Sequence, residues 1–237
     1  MKRMILKFAP AATACLLAAC HVANAALTII SDSVGGGDLA GAHLVNFDNL
    51  TLGPNGGTAT GPNGSVGVQF VPDGQSVAGA ESGVYAMPYM SGANDLNFNS
   101  STLYGQDPTT YLTTGTGQAI LTFPGSEQYL GILWGSVDTY NTLSFYNGNG
   151  GLIGSLTGSQ VIAGANGDQG ITGTVYVNLW SDTAFSKVIA TSSSYAFEFD
   201  DVAYSAVPEP AAITAAALLL VLPLGASVQR ILRKRHM

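Results

Sequence analysis

Between residues 26 and 205 apolar side chains come in short alternating or β-branched runs, and Gly, Asn, Pro and Ser close each run after a few residues. Alternation with a period of two places successive side chains on opposite faces of an extended strand, so the pattern predicts strands at "ALTII", "HLVNFDNL", "VGVQFV", "GVYAM", "QAILTF", "YLGILWG", "NTLSFYN", "LIGSL", "TVYVNLW", "KVIAT" and "YAFEFDDVAYS". Turn-forming stretches such as "GPNGG", "GPNGS", "VPDGQ", "NGNGG" and "GANGDQG" separate them. No segment carries a helical period over ten residues. The expected fold class is therefore all-β, a two-sheet sandwich of jelly-roll type.

Three local features sharpen that expectation. Thr142 to Asn147 and Leu152 to Thr157 flank a Gly/Asn-rich link and read as a hairpin. In "YLGILWGS", Leu130, Ile132 and Trp134 share the face better suited to a core, while Gly131, Leu133 and Gly135 share the other. In "FEFDDVAYS", Phe197 and Phe199 have one parity and Val202 and Tyr204 the opposite one. An extra residue at Asp200-Asp201, a β-bulge, would return both pairs to one core.

The two ends read differently. "MKRMILKFAPAATACLLAACHVANA" has a basic start, an apolar stretch of roughly fifteen residues and a small-residue Ala23-Asn24-Ala25 ending, the layout of a secretory signal peptide over 1–25 cut after Ala25. "LAAC", ending at Cys20, also resembles the lipobox of bacterial lipoproteins, in which the cysteine is acylated. Both readings export the chain. Residues 211–228 are free of charge, and at about 1.5 Å per residue a helix of that length spans about 27 Å, close to a bilayer core. Arg230, Arg233, Lys234 and Arg235 follow in the tail 229–237, a stop-transfer cluster that stays in the cytoplasm by the positive-inside rule.

Charge is distributed to match. Seven of the eight Lys and Arg lie in these end segments, and the body at 26–205 holds fourteen acidic residues against Lys187 alone, a net charge of −13. Such a body repels phosphate backbones, which excludes nucleic acid as a partner. Both cysteines, Cys15 and Cys20, precede the body, so its stability rests on a core rather than on disulfides.

Val207-Pro208-Glu209-Pro210, a membrane span and a short Arg-rich end, together residues 206–237, resemble the PEP-CTERM sorting signal of Gram-negative bacteria. The resemblance implies recognition by an exosortase, a membrane-embedded cysteine protease that cuts near the motif, with delivery to the cell surface or extracellular matrix. Two prolines around Glu209 forbid helix and sheet pairing and leave an extended strip for a protease cleft. From Tyr129 to Tyr204, "WGSVDTYNTLSFYNG" and "AFEFDDVAYS" are also similar to other surface proteins of this group and imply a lectin-like or carbohydrate-module-like sandwich. The implied role is structural or adhesive, in a biofilm surface or exopolysaccharide matrix. The alternatives are a carbohydrate-binding module or, further off, a glycoside hydrolase.

Candidate chemistry in the body is sparse. Adjacent carboxylates at a bulge repel unless a cation or hydrogen-bond donors compensate, and hard oxygen ligands suit Ca²⁺. Carbohydrate-module jelly rolls hold structural calcium between an early acidic residue and an Asp of the last strand. By that resemblance Asp48 is one ligand and Asp200 or Asp201 the other; two solvated surface aspartates are the alternative. Tyr85, Tyr89, Tyr104 and Tyr111 lie in a loop-rich stretch and are candidates either for stacking on sugar faces or for covering the core. His43 stands alone in the body without a nucleophile-elbow motif, no thiol is available, and Glu81, Glu127 and Glu198 carry no placement that marks a hydrolytic pair. The expectation is a protein that is not an enzyme.

Overall fold

The computed structural model describes residues 27–99 and 103–206. The signal peptide with Ala23 and Ala25, Cys20, the Val207–Pro210 motif, the span and the basic tail lie outside the described residues. Among the described residues no helix is long and apolar enough to cross a membrane.

Thirteen strands carry the body: β1 (Leu27–Ser33), β2 (His43–Val45), β3 (Gly57–Thr60), β4 (Ser65–Val71), β5 (Gly74–Val77), β6 (Tyr89–Met90), β7 (Gly105–Gln106), β8 (Tyr111–Thr114), β9 (Gln118–Gly135), β10 (Asn141–Tyr146), β11 (Leu152–Thr157), β12 (Val175–Ser192) and β13 (Phe197–Ser205). One helical turn at Gly158–Val161 and a 3-10 turn at Ile171–Gly173 are the helical pieces among the described residues. All the strand pairings are antiparallel. The fold is all-β, one large antiparallel sheet and a small two-stranded one formed by β6 and β7.

The large sheet is organised by β9 and β12, eighteen residues each, which pair with one another at both ends. Their register breaks between Trp180 and Lys187 on one strand, opposite 122–129 on the other. Pro124, which has no N–H to give a ladder, sits in that break. On one side of it β4 flanks β9 and β10 flanks β12, extending to β3 and β11. On the other side β1 flanks β12 and β13 flanks β9, extending to β8 and β5, with β2 on the end of β13.

Both limbs feed one core. Val66, Val68, Leu121, Phe145 and Val188 from the first limb pack in the same cluster as Ile132, Trp134, Val177, Phe197 and Phe199 from the second. Phe185 stands at the register break and meets Phe123 and Phe145 edge to face at 5.3 and 5.2 Å, and Phe123 in turn meets Tyr204 of β13 at 5.2 Å, which ties the limbs together. Trp134 stacks on Phe197 at 4.5 Å.

The parity expected for β9 holds, with Leu130, Ile132 and Trp134 in this core. Leu133 belongs to a second cluster with Ala42, Leu44, Met90, Phe98, Tyr129, Tyr176 and Ala203. A glycine is required at 131 on that face, because a Cβ there would come within 2.8 Å of the Tyr176 hydroxyl.

The hairpin of β10 and β11 pairs as expected, Thr142 opposite Thr157. Three expectations need correction. "QAILTF" and "YLGILWG" form the single strand β9, and "TVYVNLW" and "KVIAT" the single strand β12, because the Pro-Gly step is absorbed in an interruption of the ladder rather than in a turn. "GVYAM" is no strand: Val84 and Tyr85 donate their N–H groups to Glu81 O in a turn, with Gly83 at φ +76°. β3, β5 and β8 arise from "GTAT", "GQSV" and "YLTT", four-residue stretches with no alternation of apolar and polar positions to read.

Phe185→Ala should lower the unfolding free energy by about 3–5 kcal/mol, the cost of deleting a fully buried aromatic ring, while Leu152→Ala, on a side chain 61 % exposed, should change it by about 0.5 kcal/mol or less. Urea unfolding of the two variants checks both.

Candidate acidic site

The bulge in β13 sets the site. Asp200 pairs with Leu133 and Ala203 with Gly131, so β13 has one residue more than β9 over this step. Asp201 takes it up in a left-handed conformation, φ +47°, and Phe197, Phe199, Val202 and Tyr204 all reach the main core. The same extra residue leaves Asp200 and Asp201 both buried, 1 % and 2 % exposed. They are not solvated surface groups.

Two loops bring further carboxylates to the bulge. In the loop before β7, Asn94 fixes the chain by accepting from Ser91 N at 2.8 Å and donating to Gly36 O at 2.7 Å, and the next residue, Asp95, is buried. Asp107 follows β7, its N–H bonded to Pro88 O at 2.9 Å and its Oδ1 accepting from Thr109 N at 2.8 Å and Thr109 Oγ1 at 2.5 Å. Asp48, exposed at the rim after β2, accepts from Asn46 Nδ2 at 3.0 Å and Thr110 N at 3.2 Å.

Hydrogen-bond donors do not cover this charge. Asp200 Oδ1 accepts from Asp201 N at 2.7 Å, but Asp95 Oδ2, Asp107 Oδ2 and Asp201 Oδ2 are buried with no partner. The Asp95 charge acts on Asp201, and the Asp107 charge on Asp200. Burial, then the Asp107 charge, pushes the Asp95 carboxyl up to about 7. Burial and the neighbouring carboxylates raise Asp200 and Asp201 as well. Lys187 is engaged elsewhere, its Nζ 4.8 Å from the centre of the Tyr146 ring.

The structure thus places Asp48, Asp200 and Asp201 in one region and adds Asp95 and Asp107. No spacing in the sequence pointed to those two, since about a hundred residues separate them from the bulge. Their signal lay in the charge imbalance of the body, which made any buried aspartate an anomaly.

The four tyrosines do not form one face. Tyr85 meets Tyr111 edge to face at 6.4 Å, and Tyr89 meets Tyr104 at 5.5 Å, as two separate pairs. Tyr111 is fully buried and donates its hydroxyl to Gly79 O at 2.6 Å, so its ring covers the core instead of offering a stacking surface. Tyr104 is 66 % exposed.

Glu198, on the opposite parity from its phenylalanine neighbours, lines an open cavity of about 460 Å³ with Glu81, Tyr85, Gln169 and Tyr195. Its Oε1 accepts from Ala86 N at 2.8 Å, Oε2 is buried without a partner, and burial pushes the carboxyl up to about 8. Glu127 lies in a different cavity of about 660 Å³ beside His43 and Tyr204. His43 Nδ1 is 3.1 Å from Asn63 O, and its ring packs against Tyr204. No family model matches the chain, and no curated protein matches it.

A carboxyl whose folded pKa is raised stabilises the fold fully below its unfolded value, near 4.5 for Glu198, and loses that contribution as pH rises towards about 8. Glu198→Gln keeps an acceptor for Ala86 N–H and removes the titration. Between pH 5 and pH 8 the wild-type unfolding free energy should therefore fall by about 2–4 kcal/mol more than that of the variant, at up to about 1.4 kcal/mol per pH unit. Urea unfolding of both proteins at the two pH values measures the difference.

Proposed function

We propose that this chain is exported and displayed by a Gram-negative bacterium through exosortase-dependent PEP-CTERM sorting, and that it acts outside the cell by association, as a structural or adhesive component of the surface or exopolysaccharide matrix. The observation that carries the reading is the order of parts along the chain. A basic-apolar segment ending in Ala23-Asn24-Ala25 precedes an all-β body whose first strand starts at Leu27 and whose last ends at Ser205. The Val207–Pro210 strip, the uncharged stretch and the four cations then follow at once. The proposal includes a two-sheet sandwich of jelly-roll type, supported by the two limbs that share one core.

A non-catalytic role is supported by the separation of Glu127 from Glu81 and Glu198 in different cavities and by the contact of His43 with a backbone carbonyl oxygen. The second reading, a carbohydrate-binding module, draws support from the Glu198 cavity, where Tyr85 and Tyr195 stand beside polar groups as a sugar would require. A glycan-array signal lost in Tyr195→Ala would mark that reading.

Mass spectrometry of both mature termini, on protein from the native bacterium, tests the sorting. The expected chain starts at Ala26 and has lost the tail beyond the Val207–Pro210 motif. An acylated Cys20 at the N-terminus would transfer the protein to the lipoprotein route, and surface-delivered protein ending in intact Arg233-Lys234-Arg235 would overturn exosortase processing.

A further inference from the structure

Among the described residues no three carboxylates stand at a spacing that holds a metal ion, so the aspartates of the bulge point to no ligand by their positions. The Glu198 cavity does. Glu198 is 2 % exposed, its Oε1 accepts from Ala86 N at 2.8 Å, and its Oε2 is buried with no partner. The turn that begins at Glu81 walls the cavity on one side, with Glu81 exposed and Tyr85 half-buried. Tyr195, 47 % exposed, stands in the same lining. None of the lining residues is basic. A buried acceptor in this state is a standing cost to the fold, and a donor from outside the chain removes it.

We propose that the Glu198 cavity receives a lysine side chain of a basic partner protein, its ammonium donating to Glu198 Oε2, its stem lying along Tyr85 and Tyr195, and Glu81 adding charge at the mouth. A buried oxygen is reached by the end of a thin, flexible chain rather than by the flat face of a sugar ring. Only one oxygen of Glu198 is free, which suits a point-like ammonium, whereas the planar fork of arginine is matched by two carboxylate oxygens side by side. Aromatic faces attract a cation and accept the apolar stem behind it. The net charge of −13 on the body draws a basic partner from a distance and repels an acidic one. The inference stands whether or not an exosortase sorts the chain.

Binding at this site is linked to a proton. The titratable groups around the Glu198 carboxyl are Glu81 and Tyr85 of the turn, Tyr195 before β13, Tyr111 of β8, and Asp138 and Tyr140 between β9 and β10. None of them is a cation, and burial holds the Glu198 carboxyl up at about 8. A bound ammonium favours the carboxylate and so competes with that proton. Affinity therefore rises with pH below about 8, by up to about tenfold per pH unit, and levels above it. The lysine amine, which titrates near about 10.4, keeps its charge throughout this range.

Calorimetry of the purified full-length chain with a glycyl-lysyl-glycine peptide blocked at both ends tests the site. Saturable binding is expected, tighter by about tenfold at pH 7 than at pH 6. The same peptide with the lysine acetylated or replaced by norleucine should bind about tenfold more weakly or worse, and an arginine peptide several-fold more weakly. Glu198→Gln, which keeps the acceptor for Ala86 N–H, should lose about tenfold or more in affinity at pH 8 together with the pH dependence. Glu81→Gln should weaken binding about two- to threefold and leave the pH dependence in place. No saturable heat with the lysine peptide at pH 8 would overturn the site, as would wild-type affinity in Glu198→Gln or an affinity unchanged between pH 6 and pH 8. Equal binding of the arginine peptide would overturn the assignment to lysine. Binding of a neutral oligosaccharide without binding of the lysine peptide would overturn the proposal in favour of the carbohydrate reading. Should Glu198→Gln fail to fold, the wild-type pH profile and the acetylated peptide still decide.

Discussion

The antiparallel pairing of β9 with β12 is the constraint on which the rest of the molecule depends. Two eighteen-residue strands paired at both ends supply flanking positions for β1, β4, β10 and β13, and so for nearly every other element. The interruption near Pro124 lets one hydrogen-bonded system turn into two limbs without ending either strand. Phe185 packs at the interruption against Phe123 and Phe145, Phe123 meets Tyr204, and apolar residues of both limbs share one core. A body without thiols has no other staple on this scale.

The second organising element is charge. A domain with one lysine and fourteen acidic residues can bury an aspartate only at high cost unless something other than a basic side chain compensates. Most of its carboxylates avoid the problem at the surface, where Asp73 accepts from Thr116 N and Tyr195 and Asp168 accepts from Gly170 N. The four buried aspartates around the bulge do not. Glu198 stands apart from this group, its carboxyl pushed up to about 8 by burial.

These features fit a role in association. The long strands and shared core make a rigid platform, while Tyr104, Leu96 and Leu103 project from the loop-rich side at 59–66 % exposure.

The sequence by itself determined what depends on near neighbours. Alternation gave the all-β class, the parity of Leu130, Ile132 and Trp134, and the hairpin of β10 and β11, because a period of two is a local property of an extended chain. The parity change across Asp200-Asp201 revealed the bulge for the same reason. Tertiary structure decided what depends on chain meeting distant chain. No alternation in "GTAT", "GQSV" or "YLTT" marks a face, and each is held extended by the strand it pairs with. Tyr111 looks like its neighbouring tyrosines in sequence and is buried only because β8 runs between β5 and β13. Asp95 and Asp107 join Asp201 across about a hundred residues, through loops held by Asn94 and Thr109. Repulsion among carboxylates is a property of distance in space, and the linear order of residues does not contain that distance.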